Sequence, residues 1–230
     1  MYRSRRPAMI VAPERLLAFG DAVFAIAITL LALDIDVPDG LPEGRLDDAL
    51  RDVLPDVGAF LLSFSVIGLL WLAHHRMFAL VGRIDRTLLY LYFALLAVVA
   101  ALPFPTRLVS EYGDTTVATA VYGGVIGLAS LLTTGMAFRL LRRPGLRKPD
   151  VPTARVRRTA LEGAVVAVVF ATSVPVALIS PSGAKYWWLL IVVLRFSLNR
   201  TTDPDEGTDN DTGTGTDTDN DTDTGKAPTA

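Results

Sequence analysis

The chain of 230 residues contains no cysteine and only two histidines. Without thiols there is no disulfide framework, no thiolate metal site and no cysteine nucleophile. Two histidines with no cysteine also fall short of an ordinary closed zinc site. No phosphate-binding glycine loop, G-x-S-x-G elbow or H-E-x-x-H helix occurs, which removes the common nucleotide, hydrolase and metalloprotease signatures. A TVGYG-type stretch, the raw material of a carbonyl-lined ion filter, is missing too. Nothing supports an enzyme, so no catalytic, cofactor or metal residue is assigned, and no nucleic-acid partner is expected.

What is abundant is apolar sequence. Hydrophobic residues make up 51% of the chain and its mean hydropathy is +0.40. That composition suits either a generous globular core or a small multi-span membrane protein. Distribution decides for the membrane, because apolar stretches of about 18 to 25 residues recur. Six are visible: 16–33, 57–81, 88–109, 117–141, 160–179 and a shorter one at 186–198. Backbone groups in hydrocarbon must be paired within their own segment, so each is expected to be a helix. The expected fold is all-α and polytopic, with six transmembrane helices per subunit. The short sixth segment, with Arg195 inside it, fits either an interfacial helix or a short tilted span.

Around this domain, 16–198, lie a basic N-terminal stretch, 1–15, and a tail, 199–230, composed almost wholly of Thr, Asp, Gly and Asn. Such a tail has too little apolar surface to offset its ordering entropy and is expected to be disordered and acidic. The basic MYRSRR start precedes a long apolar run with no small-residue cleavage pattern, which reads as a retained helix rather than a signal peptide. Pro103, Pro105 and Pro175 are expected to kink or stop helices. Gly123, Gly124 and Gly127 would allow close helix packing.

Charge segregates along the chain. The N-terminal flank and the second-to-third and fourth-to-fifth connections hold fifteen basic residues, against four (Arg45, Arg51, Arg107 and Lys185) on the opposite side. Basic residues concentrate on the cytoplasmic face, so both termini are expected inside a multi-pass cell-membrane protein. The external connection 34–56 is acidic, either as a solvated loop or as a negative mouth that concentrates cations.

The first apolar run carries Asp21 near its start. A charge at the centre of a spanning helix costs roughly 2.5 to 3.5 kcal/mol on insertion scales, so Asp21 should face protein or water. At about 100 degrees per residue, Ile26, Leu30 and Leu33 share one stripe with Ala22, and Thr29 flanks it. Asp21 lies about 140 degrees from Ile26 on the same wheel. The stripe fits ordinary lipid-facing or interhelical packing as well as a pore lining. Thr29 could bond back to its own helix or offer a hydroxyl to a pore. The second run ends in WLAHHRMF, 71–78, holding both histidines. His74 and His75 are adjacent, about 100 degrees apart, which disfavours shared coordination of one metal. They lie at the same membrane end as Arg15 and Asp21. Either Asp21, a histidine and Trp71 form a hydrogen-bonded cluster, or these side chains are amphipathic anchors in the headgroup region. Glu162, one turn from Arg158, is expected to form an interfacial ion pair.

The segment RLLAFGDAVFAIAITLLALDI, 15–35, resembles the signature first helix of the transmembrane protein 175 family, lysosomal potassium channels and their bacterial relatives. That signature runs Arg-x-x-x-Phe-Ser-Asp, a small residue and an AIAITLL-like run. Arg15, Phe19 and Asp21 match, Ala22 is the small residue, and Gly20 stands where serine is usual. WLAHHRMF and ALPFPT, 101–106, are similar to further family features. The resemblance implies a pore lined by the first helix and constricted by isoleucine or leucine side chains as a hydrophobic gate. Ile26, Leu30 and Leu33, with Thr29 and Ala22, would line it, and potassium would be the permeant ion. Arg15, Phe19, Asp21, Trp71, His74 and His75 would form a structural network bracing the pore helix, weakened by the hydroxyl missing at Gly20. One motif copy per chain implies a homotetramer of the single-repeat bacterial type. Two other functions fit the residues alone: a proton-coupled secondary transporter with Asp21 as carrier, and a non-conducting membrane scaffold. The sequence shows no internal repeat of the kind common in transporters.

Overall fold

The computed structural model describes residues 12–35, 40, 42–180, 183, 184 and 187. Among these the secondary structure is helical. Seven α-helices run in the order α1 (Pro13–Leu31), α2 (Leu46–Asp52), α3 (Leu54–Phe78), α4 (Arg86–Ala100), α5 (Pro103–Tyr112), α6 (Thr116–Arg142) and α7 (Thr153–Ile179). Four stretches are long and apolar enough to cross a membrane: Leu46–Phe78, Arg86–Tyr112, Thr116–Arg142 and Thr153–Ile179. With α1 they make five membrane-scale segments among the described residues. Apart from Trp187, the expected sixth segment lies outside the described residues, as do residues 1–11 and the tail.

Local chemistry sets the helix boundaries. Pro13, Pro55 and Pro103 occupy first-turn positions of α1, α3 and α5, where a missing N–H costs nothing. Asp85 caps α4 by accepting from the Leu88 amide at 2.9 Å, and Thr115 caps α6 by accepting from Ala118 at 3.3 Å. The apolar segment 88–109 is interrupted at Ala101 and Leu102, and Pro103, expected to kink or stop a helix, starts a new one. Pro175 does not stop α7, which continues to Ile179. Part of the acidic connection is helical too: α2 lies inside what the sequence suggested was loop.

The longest packed seam joins α6 to α7, and its closeness depends on small residues. A Cβ on Gly163 of α7 would stand 2.6 Å from the Thr134 hydroxyl of α6, whereas one on Gly127 would make only an ordinary contact with Phe170. α6 also backs α4, while α1 lies against α3 and α4. Leu16, Phe24, Ile67, Met77, Tyr92, Tyr122, Ile126 and Met136 are buried in one continuous core. Within it, Thr106 of α5 lies 2.8 Å from the Ser63 hydroxyl of α3, which lies 3.0 Å from the Tyr122 hydroxyl of α6.

At the basic end the two connections clasp each other. The amides of Gly82 and Arg83 donate to the Leu146 carbonyl at 2.8 and 3.0 Å, and Lys148 donates to Leu80 at 3.1 Å. A Cβ on Gly82 would stand 2.7 Å from the Arg147 carbonyl oxygen, so glycine is required at this approach. Arg139 adds a bridge of 2.6 Å to Asp85. Burial by itself pushes the Asp85 carboxyl up; the Arg139 hydrogen bonds, the Leu88 amide and the charges of Arg139 and Arg143 outweigh it and hold its pKa below the ordinary value.

Candidate functional site

α1 has two unlike faces. Leu16, Gly20, Phe24, Ala27 and Leu31 are buried against the rest of the subunit. The other side leaves large apolar side chains uncovered: Phe19 is 50% exposed, Ile26 58% and Leu30 42%, and Leu33, in the 3-10 turn Ala32–Asp34 that follows α1, is 75% exposed. Ala22 and Thr29 are exposed beside them. The stripe read from helical phase is therefore a surface of the single subunit. Thr29 bonds back to its own helix, donating to the Ile26 carbonyl at 2.9 Å.

Between α1 and α3 the structure gathers most of the polar residues singled out in the sequence. Trp71 Nε1 donates to Asp21 Oδ1 at 2.8 Å, and His75 Nδ1 lies 3.6 Å from the same oxygen. The Trp71 and His75 rings are 4.5 Å apart. Phe19 meets Phe93 of α4 edge-on at 6.1 Å. Arg15 does not join: it is exposed on the first turn, and none of its side-chain atoms makes a hydrogen bond or ion pair among the described residues.

His74 points the other way, into the core, and is 1% exposed. Its ring stacks on Tyr92 at 5.4 Å with 10° between planes, and Phe24 and Phe78 pack beside it. Nε2 lies 3.2 Å from the Tyr92 hydroxyl, which donates its own proton to the Leu16 carbonyl at 2.6 Å. With that proton committed, Tyr92 can only accept from His74, so Nε2 carries the ring hydrogen and Nδ1 is a bare lone pair. Among the described residues Nδ1 has no hydrogen-bond partner.

Tyr92 was missed by sequence reasoning. It sits in the apolar run RTLLYLYFALLAVVA, where a tyrosine carries no periodic signal. The available clue was Gly20, whose lost hydroxyl asks for a replacement. A Cβ at Gly20 would collide with the Tyr92 hydroxyl and press on His74 Cε1 and Nε2 at 3.0 and 3.1 Å. Tyr92 thus fills the space and supplies the hydroxyl that serine would bring. Glu162 stands apart from this cluster, bonded to Arg158 at 3.1 Å as expected and also 3.8 Å from Arg76 of α3.

With this geometry in place, comparison with known proteins is specific. Residues 15–103 match the family model described as the endosomal/lysosomal potassium channel TMEM175. The chain is 43% identical over 150 residues to a potassium channel of Streptomyces collinus, the match covering 63% of this chain and 73% of that protein. It is 43% identical over 127 residues to a potassium channel of Chamaesiphon minutus, covering 51% of this chain and 63% of the relative. The crystal structure of a lysosomal potassium-selective channel TMEM175 homologue from Chamaesiphon minutus superimposes with a TM-score of 0.70 at 29% identity, covering 83% of this chain and 98% of that one. The site residues, on α1, α3 and α4, lie inside the matched region, and the chain belongs to the TMEM175 channel family.

Proposed function

We propose that the chain is one subunit of a homotetrameric, potassium-permeable cation channel whose pore is lined by α1. As a member of this family it is a multi-pass membrane protein and an ion channel, not an enzyme. The observation that carries the assignment of α1 is its exposed stripe. Ile26, Leu30 and Leu33 lie uncovered on the side of α1 away from the subunit's own core, in the phase where the family places its constriction. Four such stripes around an axis would make stacked apolar rings, with Ala22 and Thr29 beside them, and a narrow apolar ring gates by dewetting. Asp21, Trp71 and His75 would brace α1 against α3, with His74 and Tyr92 as the buried anchor and Phe19 packed on α4. Arg15 lies at the basic end, without a bonded role among the described residues. The basic connections support a cytoplasmic position for that end and for the N-terminus.

Asp21 lies off the exposed stripe and is held by a tryptophan N–H, which supports a brace over a proton carrier. The direct test is cation flux from liposomes holding the purified protein, with the oligomer mass measured in detergent. A potassium flux through a tetramer, altered by polar substitution at Ile26, supports the channel. A monomer without flux refutes it.

A further inference from the structure

Among the described residues His74 Nδ1 has no hydrogen-bond partner and its side chain is 1% exposed, and the ring lies beside two further donor side chains. One ligand atom from each of Asp21, His74 and His75 can be chosen so that all lie within 4.8 Å of one another. We propose that these three side chains form a binding site for a late first-row divalent transition metal ion, bridging α1 and α3. The binding stands or falls independently of the pore assignment, because it is read by spectroscopy rather than by flux.

The sequence argued against a shared ion because adjacent histidines on a helix diverge. That holds for the two imidazoles alone. α1 supplies what α3 lacks, a carboxylate within reach of both. Metal–ligand bonds of about 2.1 Å in a tetrahedron put ligand atoms about 3.4 Å apart. His75 Nδ1 and Asp21 Oδ1 are already 3.6 Å apart. Rotation of the His75 and Asp21 side chains, 38% and 40% exposed, would bring donors that lie within 4.8 Å of one another to that spacing.

The protonation states also suit a metal. Imidazole binds through a bare nitrogen, and His74 Nδ1 is bare because Nε2 donates to Tyr92. Ligating histidines almost always donate their other N–H to an oxygen that fixes the ring, the role Tyr92 fills here. Asp21 Oδ1 accepts a hydrogen bond from Trp71 and keeps a further lone pair for the ion. Two imidazoles and one carboxylate leave a fourth position for water. Imidazole donors suit zinc, cobalt, nickel and copper, whereas magnesium and calcium prefer an all-oxygen set.

The test is titration of the full chain, purified in detergent with chelator removed, with cobalt(II) followed by visible absorption. The expected result is one equivalent per chain, intense bands of a four-coordinate ion, displacement by zinc and none by magnesium. His75→Gln, at a partly exposed position, should weaken cobalt binding about tenfold or more, since loss of even an outer-shell partner costs about 10- to 100-fold. Tyr92→Phe should weaken it as well while leaving the stoichiometry at one. Size-exclusion profiles matching the wild type exclude misfolding as the cause. Only the weak bands of a six-coordinate aqueous ion, or equal affinity in wild type and His75→Gln, would overturn the site.

Discussion

The Tyr92 hydroxyl occupies the space that a side chain at residue 20 would need, and its hydrogen bond to the Leu16 carbonyl ties α4 to α1 one turn before Asp21. Gly20→Ala should therefore overpack this contact and cost about 1 to 3 kcal/mol. Tyr92→Phe should cost a similar amount, about 1 to 3 kcal/mol, by leaving the His74 Nε2 hydrogen without an acceptor. The two are not independent. Removing the hydroxyl also removes the clash, so the double variant should lose less than the sum of the singles. Thermal unfolding of the four proteins in detergent closes the cycle. Strict additivity would mean that Gly20 and Tyr92 do not compensate each other.

The ease with which different parts of the protein could be read follows from the range of the interactions involved. Helical phase alone separated Ile26, Leu30 and Leu33 from the buried side of α1, because one helix turn is a local property. Apolar run length located the spans. It placed the start of the fifth at residue 160, whereas α7 begins at Thr153, because Arg155, Arg157 and Arg158 end the hydropathy signal but not the helix. The short α2 was hidden by the charges Asp47, Asp48, Arg51 and Asp52. The cluster was half legible: Asp21, Trp71 and His75 meet across α1 and α3 as the shared membrane end suggested. Tyr92 was not, since its bond to Leu16 spans 76 positions and nothing in the sequence fixes how α4 rotates against α1.

The Asp85 and Arg139 bridge predicts an acid limit. The Asp85 pKa is depressed in the folded protein below its ordinary 3.8. A depressed carboxyl contributes stability that is present above the ordinary value and lost as pH falls through the folded value. The difference in unfolding temperature between wild type and Asp85→Asn should therefore stay level from neutral pH down to about 5 and shrink below about 4. A difference that shrinks above pH 6 would assign the effect to another group.

Asp21→Asn separates a brace from a proton carrier. Asn retains an oxygen for Trp71 Nε1 but loses the charge facing His75, so the variant should unfold at lower temperature and show altered basal flux. Its potassium flux should stay passive, driven only by the potassium gradient. The measurement is potassium movement in proteoliposomes with and without an imposed proton gradient. Uphill potassium accumulation in the wild type, abolished in Asp21→Asn, would establish coupling and remove the channel assignment.

Ile26 is where helical phase and exposure coincide, so it carries the sharpest test of the proposed pore. If four Ile26 side chains form a dry ring, Ile26→Asn should wet it and raise resting flux several-fold while eroding discrimination of potassium from sodium. Ala25 is also exposed but lies about 100 degrees round the helix from Ile26. The same change there should leave both quantities close to wild type. Both variants stand on a surface of the single subunit, so neither should empty its core, and tetramer yield in detergent controls for assembly. Potassium and sodium fluxes from matched proteoliposomes decide the matter. Equal effects at Ile26 and Ala25 would show that the stripe faces lipid or a neighbouring helix instead of the permeant ion.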